Sequence, residues 1–231
     1  MLANDVEQEA TSILDVLQRV LQQRIDGRKA VRELKEADYN WKQMEWQGWY
    51  FEYKAFHSLK DELGGGVGPT FGSTEFDYQR NFVWDLKAHS TTTPSGNERR
   101  DMYLNDKTAI EDCIRENAGI GFIVAHGDPE YDDDDRSFYH WHQELKGGKS
   151  DYVKRREERD APSRERKKAF PLNRISAYFV PTIDALRQGE EDGWIRPRSQ
   201  GRNADGSERP KKYALYPDKV PAEVIADEIE Y

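Results

Sequence analysis

The feature that most constrains the fold is the run from Phe82 to His89. Taken as a strand, it places Phe82, Trp84, Leu86 and Ala88 on one face and Val83, Asp85, Lys87 and His89 on the other. Such a strand is expected to bury the first face in a core and to present the second to a cleft. The preceding residues, Glu75 to Arg80, read as another strand joined to it by a short turn, with Glu75 and Asp77 lining the side that carries Asp85 and Lys87. Two carboxylates and an ammonium on one sheet face make a site for a hard cation, with a charged partner for a phosphate or a metal-bound water.

An acid, any residue and a lysine is a common pattern in a charged chain, and here it occurs five times, ending at Lys35, Lys54, Lys87, Lys146 and Lys167. Context separates them. The first two lie in helix-patterned stretches, where residues two apart point in different directions, and the last is embedded in a basic run. The rival is Phe138 to Lys146, which also alternates and follows the acids Asp132 to Asp135, but it runs into Gly147 and Gly148 and a long charged segment. Asp85-Leu86-Lys87 is followed instead by a helix pattern, Asn105 to Asn117, with Ala109, Ile110, Cys113 and Ile114 on one side. The apolar strand Ile120 to Ala125 comes next. Strand, crossover helix and strand predict a parallel pair with a right-handed connection, inside a mixed α/β core of roughly three to five strands.

The region from Glu52 to Ala125 resembles the catalytic core of the PD-(D/E)xK nucleases, the superfamily that includes most type II restriction endonucleases. Asp77 matches the first acid and Asp85-Leu86-Lys87 the second element; Glu52, on a helix before the hairpin, matches a further acid found in many members. Phe76 stands where the family usually has proline, only seven residues separate the two aspartates, and Glu75 is the alternative first acid. The resemblance implies an α/β fold with a mixed central β-sheet flanked by helices, a restriction-endonuclease-like core. It implies Asp77, Asp85, Lys87 and Glu52 as catalytic residues, with Mg²⁺, or Mn²⁺ in its place, held by Asp77, Asp85, the Leu86 carbonyl and Glu52. Lys87 would orient or help deprotonate the attacking water, leaving a 5′-phosphate and a 3′-hydroxyl. The implied protein is a site-specific endodeoxyribonuclease acting on double-stranded DNA as a homodimer, with a companion DNA methyltransferase that it does not bind directly. A structure-specific repair or recombination nuclease and a non-catalytic DNA-binding or protein-interaction module are the other classes.

The chain reads as one domain of 231 residues: a helical N-terminal segment over 1–40, a catalytic core over 41–126 and a basic recognition segment with C-terminal elements over 127–231. Apolar residues from Val6 to Ile25 predict an amphipathic helix ending near Gly27, and a second helix spans Arg28 to Asp38. An aromatic helix carrying Phe51, Ala55, Phe56, Leu59 and Leu63 ends at Gly64. Glu52 lies within its apolar stripe, so it needs a partner. With 34% charged residues, against about 25% in an average globular protein, much of the surface is solvated; the net charge of −9 leaves nucleic-acid binding to local patches. One such patch is Lys146 to Arg174, with eleven basic side chains against five acids. The candidate DNA contacts are Lys146, Lys149, Lys154, Arg155, Arg156, Arg164, Lys167, Lys168 and Arg174, together with Arg202 in a mobile basic loop from Arg196 to Lys212. Ile175 to Val180 reads as a strand, Pro181 to Leu186 as the start of a helix, and Val220 to Tyr231 as an acidic amphipathic tail packed by Val224, Ile225 and Ile229.

His89 shares the face of Asp85 and Lys87, within reach of a phosphate, whereas His140 and His142 lack a third ligand at zinc spacing. The single cysteine, Cys113, excludes an intrachain disulfide and suits a reducing compartment. No basic stretch followed by an apolar run opens the chain, and Ile120 to Ala125 is too short to span a bilayer. The expectation is a soluble cytoplasmic protein.

Overall fold

The computed structural model describes residues 2–68, 76–161, 164–203 and 205–231, apart from the side chains of Leu2 and Tyr152. Helix α1 (Leu2–Val20) buries Val6, Ala10, Ile13, Leu14 and Leu17 in the core. It stops earlier than the apolar pattern suggested. Ile25 belongs instead to strand β1 (Arg24–Asp26), where it pairs with Phe170 and stays buried. Asp26 then caps α2 (Gly27–Glu36) by accepting from the Lys29 N–H at 2.9 Å. Helix α3 (Trp46–Leu63) packs the predicted stripe Phe51, Ala55, Phe56 and Leu59 inward, and Gly64, at φ +76°, ends it.

Strands β2 (Gly66–Val67), β3 (Tyr78–Gln79) and β4 (Val83–Ser90) form an antiparallel meander. Strand β5 (Met102–Asp106) follows, an element the sequence did not suggest. Its last residue, Asp106, caps α4 (Lys107–Glu116), so that helix starts after Asn105 rather than at it. Strand β6 (Ile120–Gly127) then lies parallel to β4, as the strand–helix–strand order predicted. The rest of the chain supplies β7 (Glu130–Tyr131), α5 (Ser137–Leu145), α6 (Asp151–Glu157), β8 (Lys167–Val180), α7 (Ile183–Asp192), β9 (Ile195–Arg198), β10 (Lys212–Leu215) and β11 (Ile225–Glu230).

The result is a mixed α/β fold around a central sheet flanked by helices. Its order is β1-β8-β6-β4-β3-β2, with β7 and β11 also on β8: eight strands among the described residues, more than the three to five expected. The extra strands come largely from β8, whose basic first half falls in the expected DNA-recognition segment and pairs with β1 and β7. The Arg196 to Lys212 loop likewise begins and ends in the antiparallel pair β9 and β10, which with β5 forms a second, three-stranded sheet. The C-terminal tail is an edge strand on β8, with Ile229 opposite Ile175. Among the described residues, no helix is long and apolar enough to cross a membrane.

Both faces of the central sheet are covered. Phe82, Trp84 and Leu86 pack with α1, α2 and α3 in one apolar cluster, as predicted. The opposite face is not an open cleft. Val83, Phe122 and Val124 are apolar and leave water by packing against Ile110, Cys113 and Ile114 of α4, Leu104 of β5 and Tyr213 of β10. The turn into β4 is pinned by buried Glu9 of α1. Glu9 accepts from the Asn81 and Phe82 N–H groups, each at 3.2 Å, and from Trp84 Nε1 at 3.0 Å. Gly121, the partner of Trp84 on β6, leaves room for the indole, since a Cβ there would stand 2.1 Å from Trp84 Cε3. The N-terminal helix thus packs on its own sheet and orients the hairpin.

Candidate functional site

The pairing of Tyr78 with Trp84 brings the flanking residues Asp77 and Asp85 together across the hairpin. Asp77 Oδ2 accepts the Leu86 N–H at 2.7 Å, so the first acid is anchored to the strand bearing the second. Lys87 Nζ lies 2.6 Å from Asp85 Oδ1 and 3.8 Å from Asp77 Oδ2. Asn105, at the end of β5, donates to Asp85 Oδ1 at 3.2 Å, while Asp85 Oδ2 is buried with no hydrogen-bond partner among the described residues. Glu52 approaches from α3, half-buried, and finds the partner its position required in the Tyr39 hydroxyl, 2.6 Å from its Oε1.

Burial decides the electrostatics. It pushes the Asp85 carboxyl above the usual carboxylate range; Lys87 opposes the rise and Asp77 adds to it. Burial also acts against the Lys87 ammonium, but Asp85 and Asp77 outweigh it and hold the lysine pKa above its ordinary value. Glu52 is pushed up to about 7, by burial first and by Asp77 second, against the Tyr39 hydrogen bond and the Lys87 charge. The Tyr39 hydroxyl is raised in turn by burial and by Glu52 and remains a donor.

A divalent cation fits this donor set in one specific respect. The buried Oδ2 of Asp85 has no hydrogen-bond partner among the described residues, and such a group normally has one. Asp77 and Glu52 would add oxygens, though the three carboxylates do not all lie within 4.8 Å of one another, and the Leu86 carbonyl lies on the same strand, 3.4 Å from Lys87 Nζ. Glu75, the alternative first acid, falls outside the described residues. Among those residues, the one set of three carboxylates within 4.8 Å of one another is Asp132, Asp133 and Asp135. Those acids are already engaged: Asp132 accepts the Phe138 and Tyr139 N–H groups at the start of α5, Asp135 accepts from Ser137, and Asp133 pairs with Lys168.

The remaining candidates are dispersed. Glu144-Leu145-Lys146 is not on a strand: Phe138 to Leu145 form α5, and the helix turns Glu144 and Lys146 apart. His89 is buried, its Nε2 3.2 Å from the Arg99 carbonyl and its ring edge-on to His126, so it does not reach outward. His142 meets the Trp41 carbonyl at 2.9 Å, and His140 is exposed. Much of the basic segment is neutralised within the chain. Lys149 pairs with Glu157 at 2.8 Å, Lys154 with Asp151 at 3.5 Å and Arg174 with Glu228 at 3.7 Å; Lys167 pairs with Glu45 and Lys168 with Asp133. Arg155 and Arg202 are exposed, and Lys146, Arg156 and Arg164 line a cavity of about 720 Å³ with Lys42 and Arg166. Sequence reasoning missed Tyr39 and Asn105, the two neutral groups on the carboxylates. The one available signal was that Glu52 needed a partner. Comparison of the chain with known protein families, with characterised proteins and with solved structures finds no match.

Proposed function

We propose that this chain is a divalent-metal-dependent endodeoxyribonuclease, with Asp77, Asp85, Lys87 and Glu52 as its active site and Mg²⁺ as its ion. The observation that carries this reading is the unpartnered Asp85 oxygen, buried beside Lys87 and across the hairpin from Asp77. The order of helix α3, the β2–β3–β4 meander, helix α4 and the parallel strand β6 suits the PD-(D/E)xK core that the motif suggested.

When bound, the ion would neutralise charge on the scissile phosphate and lower the pKa of the attacking water. Lys87, held as an ammonium by two aspartates, is suited to orient that water and to stabilise negative charge on the phosphate; it is a poor base in that state. In the metal-free protein Glu52, with a pKa near neutrality and one oxygen fixed by Tyr39, is the better proton acceptor, whereas as a ligand of the ion it would be held ionised. Asn105 holds the Asp85 carboxylate in place. In the restriction-enzyme form of this reading, two chains related by a twofold axis each cut one strand of duplex DNA.

A plasmid digest with Mg²⁺, with EDTA and with Ca²⁺ tests the proposal. Cleavage is expected only with Mg²⁺ or Mn²⁺, with binding but no cutting in Ca²⁺. Discrete fragments with common ends support site-specific cutting, and structure-dependent nicks support a repair or recombination enzyme. One observation favours a non-catalytic fold: Asp85 is 0% exposed, which suits a core ion pair. No scission of duplex, single-stranded or branched DNA with either metal would decide for it.

A further inference from the structure

The cavity of about 720 Å³ between α5, α6 and the residues just before α3 is lined by Lys42, Lys146, Lys149, Arg156, Arg164 and Arg166, against the single carboxylate of Glu157. Lys149 lies 2.8 Å from that carboxylate, so the pair leaves the excess of cations intact. Arg166 is the centre of the argument. It is 7% exposed, and its Nε and Nη1 are buried with no hydrogen-bond partner among the described residues. Two acids, Glu45 and Asp132, act on it electrostatically, but neither accepts from its Nε or Nη1, and both receive other donors. Glu45 Oε2 receives Lys167 Nζ and Gln47 Nε2, and the Asp132 oxygens receive the Phe138 and Tyr139 N–H groups at 2.9 and 2.7 Å. The guanidinium instead lies over the Tyr139 ring, at 5.4 Å, and Arg136 lies over the same ring at 4.2 Å. Lys146 is half-buried nearby, and burial together with Arg166 lowers its pKa to about 8.

A buried guanidinium with two nitrogens that meet no acceptor, lining a cavity with this excess of cations, is the arrangement an oxyanion completes, because the oxygens of a tetrahedral phosphoryl group accept N–H donors from several directions. We propose that this cavity is a phosphate-binding site, taking the phosphoryl group of a phosphate monoester, either free or at the end of a nucleic acid strand. The proposal does not depend on the nuclease reading, since no residue of the candidate active site lines the cavity.

Calorimetry with inorganic phosphate, in EDTA, tests it. Saturable binding is expected, weakened at least tenfold by Arg166→Gln and several-fold by Arg164→Gln, an exposed position whose loss leaves the core intact. The double variant Asp85→Asn/Lys87→Met should bind as the parent does; loss of binding there would place the phosphate at the other site and overturn the proposal. So would the absence of saturable binding by the parent, or parental affinity in both arginine variants. Competition by a 5′-phosphorylated duplex but not by its unphosphorylated twin would identify a strand end as the source. Equal failure of both duplexes to compete, with phosphate still bound, would identify a small free ester.

Discussion

Asp85-Leu86-Lys87 and Glu144-Leu145-Lys146 share their spacing, their middle residue and an alternating apolar context, yet they fold into opposite arrangements. On β4 the two charged side chains project together, and Lys87 Nζ comes within 2.6 Å of Asp85 Oδ1. On α5 residues two apart are turned by about 200°; Glu144 is exposed, and Lys146 ends the helix beside Arg166. The difference arises upstream. Asp132 accepts the first N–H groups of α5, and Phe138, Tyr139, His142 and Gln143 are buried at helical spacing, whereas Asp77 accepts a strand N–H and pins a hairpin. Tripeptides of one pattern acquire different chemistry because different aspartates organise the backbone around them.

The largest effect that separates the two motifs is on catalysis. Under the proposed function, Asp85→Asn should reduce Mg²⁺-dependent cleavage by about 10³-fold or more, a loss of roughly 4 kcal/mol in transition-state stabilisation. Glu144→Gln should stay within about twofold. Circular dichroism would show both folded, and equal cleavage by Asp85→Asn and the parent would remove the hairpin from the mechanism.

Stability offers a second contrast. Lys87→Met leaves the Asp85 charge buried without its cation and should cost about 3–5 kcal/mol in urea denaturation. Lys146→Met removes a charge already disfavoured by burial and by Arg166, and should cost less than about 1 kcal/mol. Adding Asp85→Asn to Lys87→Met should recover most of the loss; failure to recover would mean that packing of the lysine stem, not the ion pair, matters there.

Glu52 gives a smaller, pH-dependent effect. Its folded pKa of about 7 stands above the model-peptide 4.5, so its contribution to stability is present below pH 4.5 and is lost as pH rises through 7. Glu52→Gln removes that dependence. In metal-free protein the variant should match the parent near pH 4 and exceed it by about 2 kcal/mol at pH 8, after allowance for partial exposure. A difference that stays flat with pH would show that Tyr39 and Lys87 keep Glu52 ionised throughout.

What the sequence reveals follows the same logic. The hairpin was legible because the Phe82 to His89 pattern demands one buried face, and the parallel β4–β6 pair because a crossover helix leaves few alternatives. The covering of the other face was not legible: β5, β9 and β10 are short, and Arg196, Pro197 and Arg198 read as loop. Lys167, Lys168 and Arg174 read as DNA contacts because the acids that neutralise them, Glu45, Asp133 and Glu228, are distant in the chain. Tyr39 lies in a stretch with no period, so only the requirement at Glu52 pointed toward it.

The smallest predicted effect concerns DNA, and it tests whether a basic sequence remains a basic surface after folding. Lys154 and Lys168 already face Asp151 and Asp133, whereas Arg155 is exposed and, among the described residues, donates only to the Asp151 carbonyl at 3.2 Å, and exposed Arg164 opens onto the cation-rich cavity. Each cation that neutralises a phosphate releases counterions, so its loss flattens the dependence of affinity on salt by roughly 0.9 per contact. The double variant Arg155→Gln/Arg164→Gln should therefore lower the slope by about 2 and weaken binding about tenfold near 0.1 M salt. Lys154→Gln/Lys168→Gln should change the slope by less than about 0.5, because their internal partners leave little charge to offer. Equal slopes for the two double variants, measured by fluorescence anisotropy on one duplex, would mean that the intrachain pairs open on DNA; a full parental slope in both would move the interface to the exposed basic loop around Arg202.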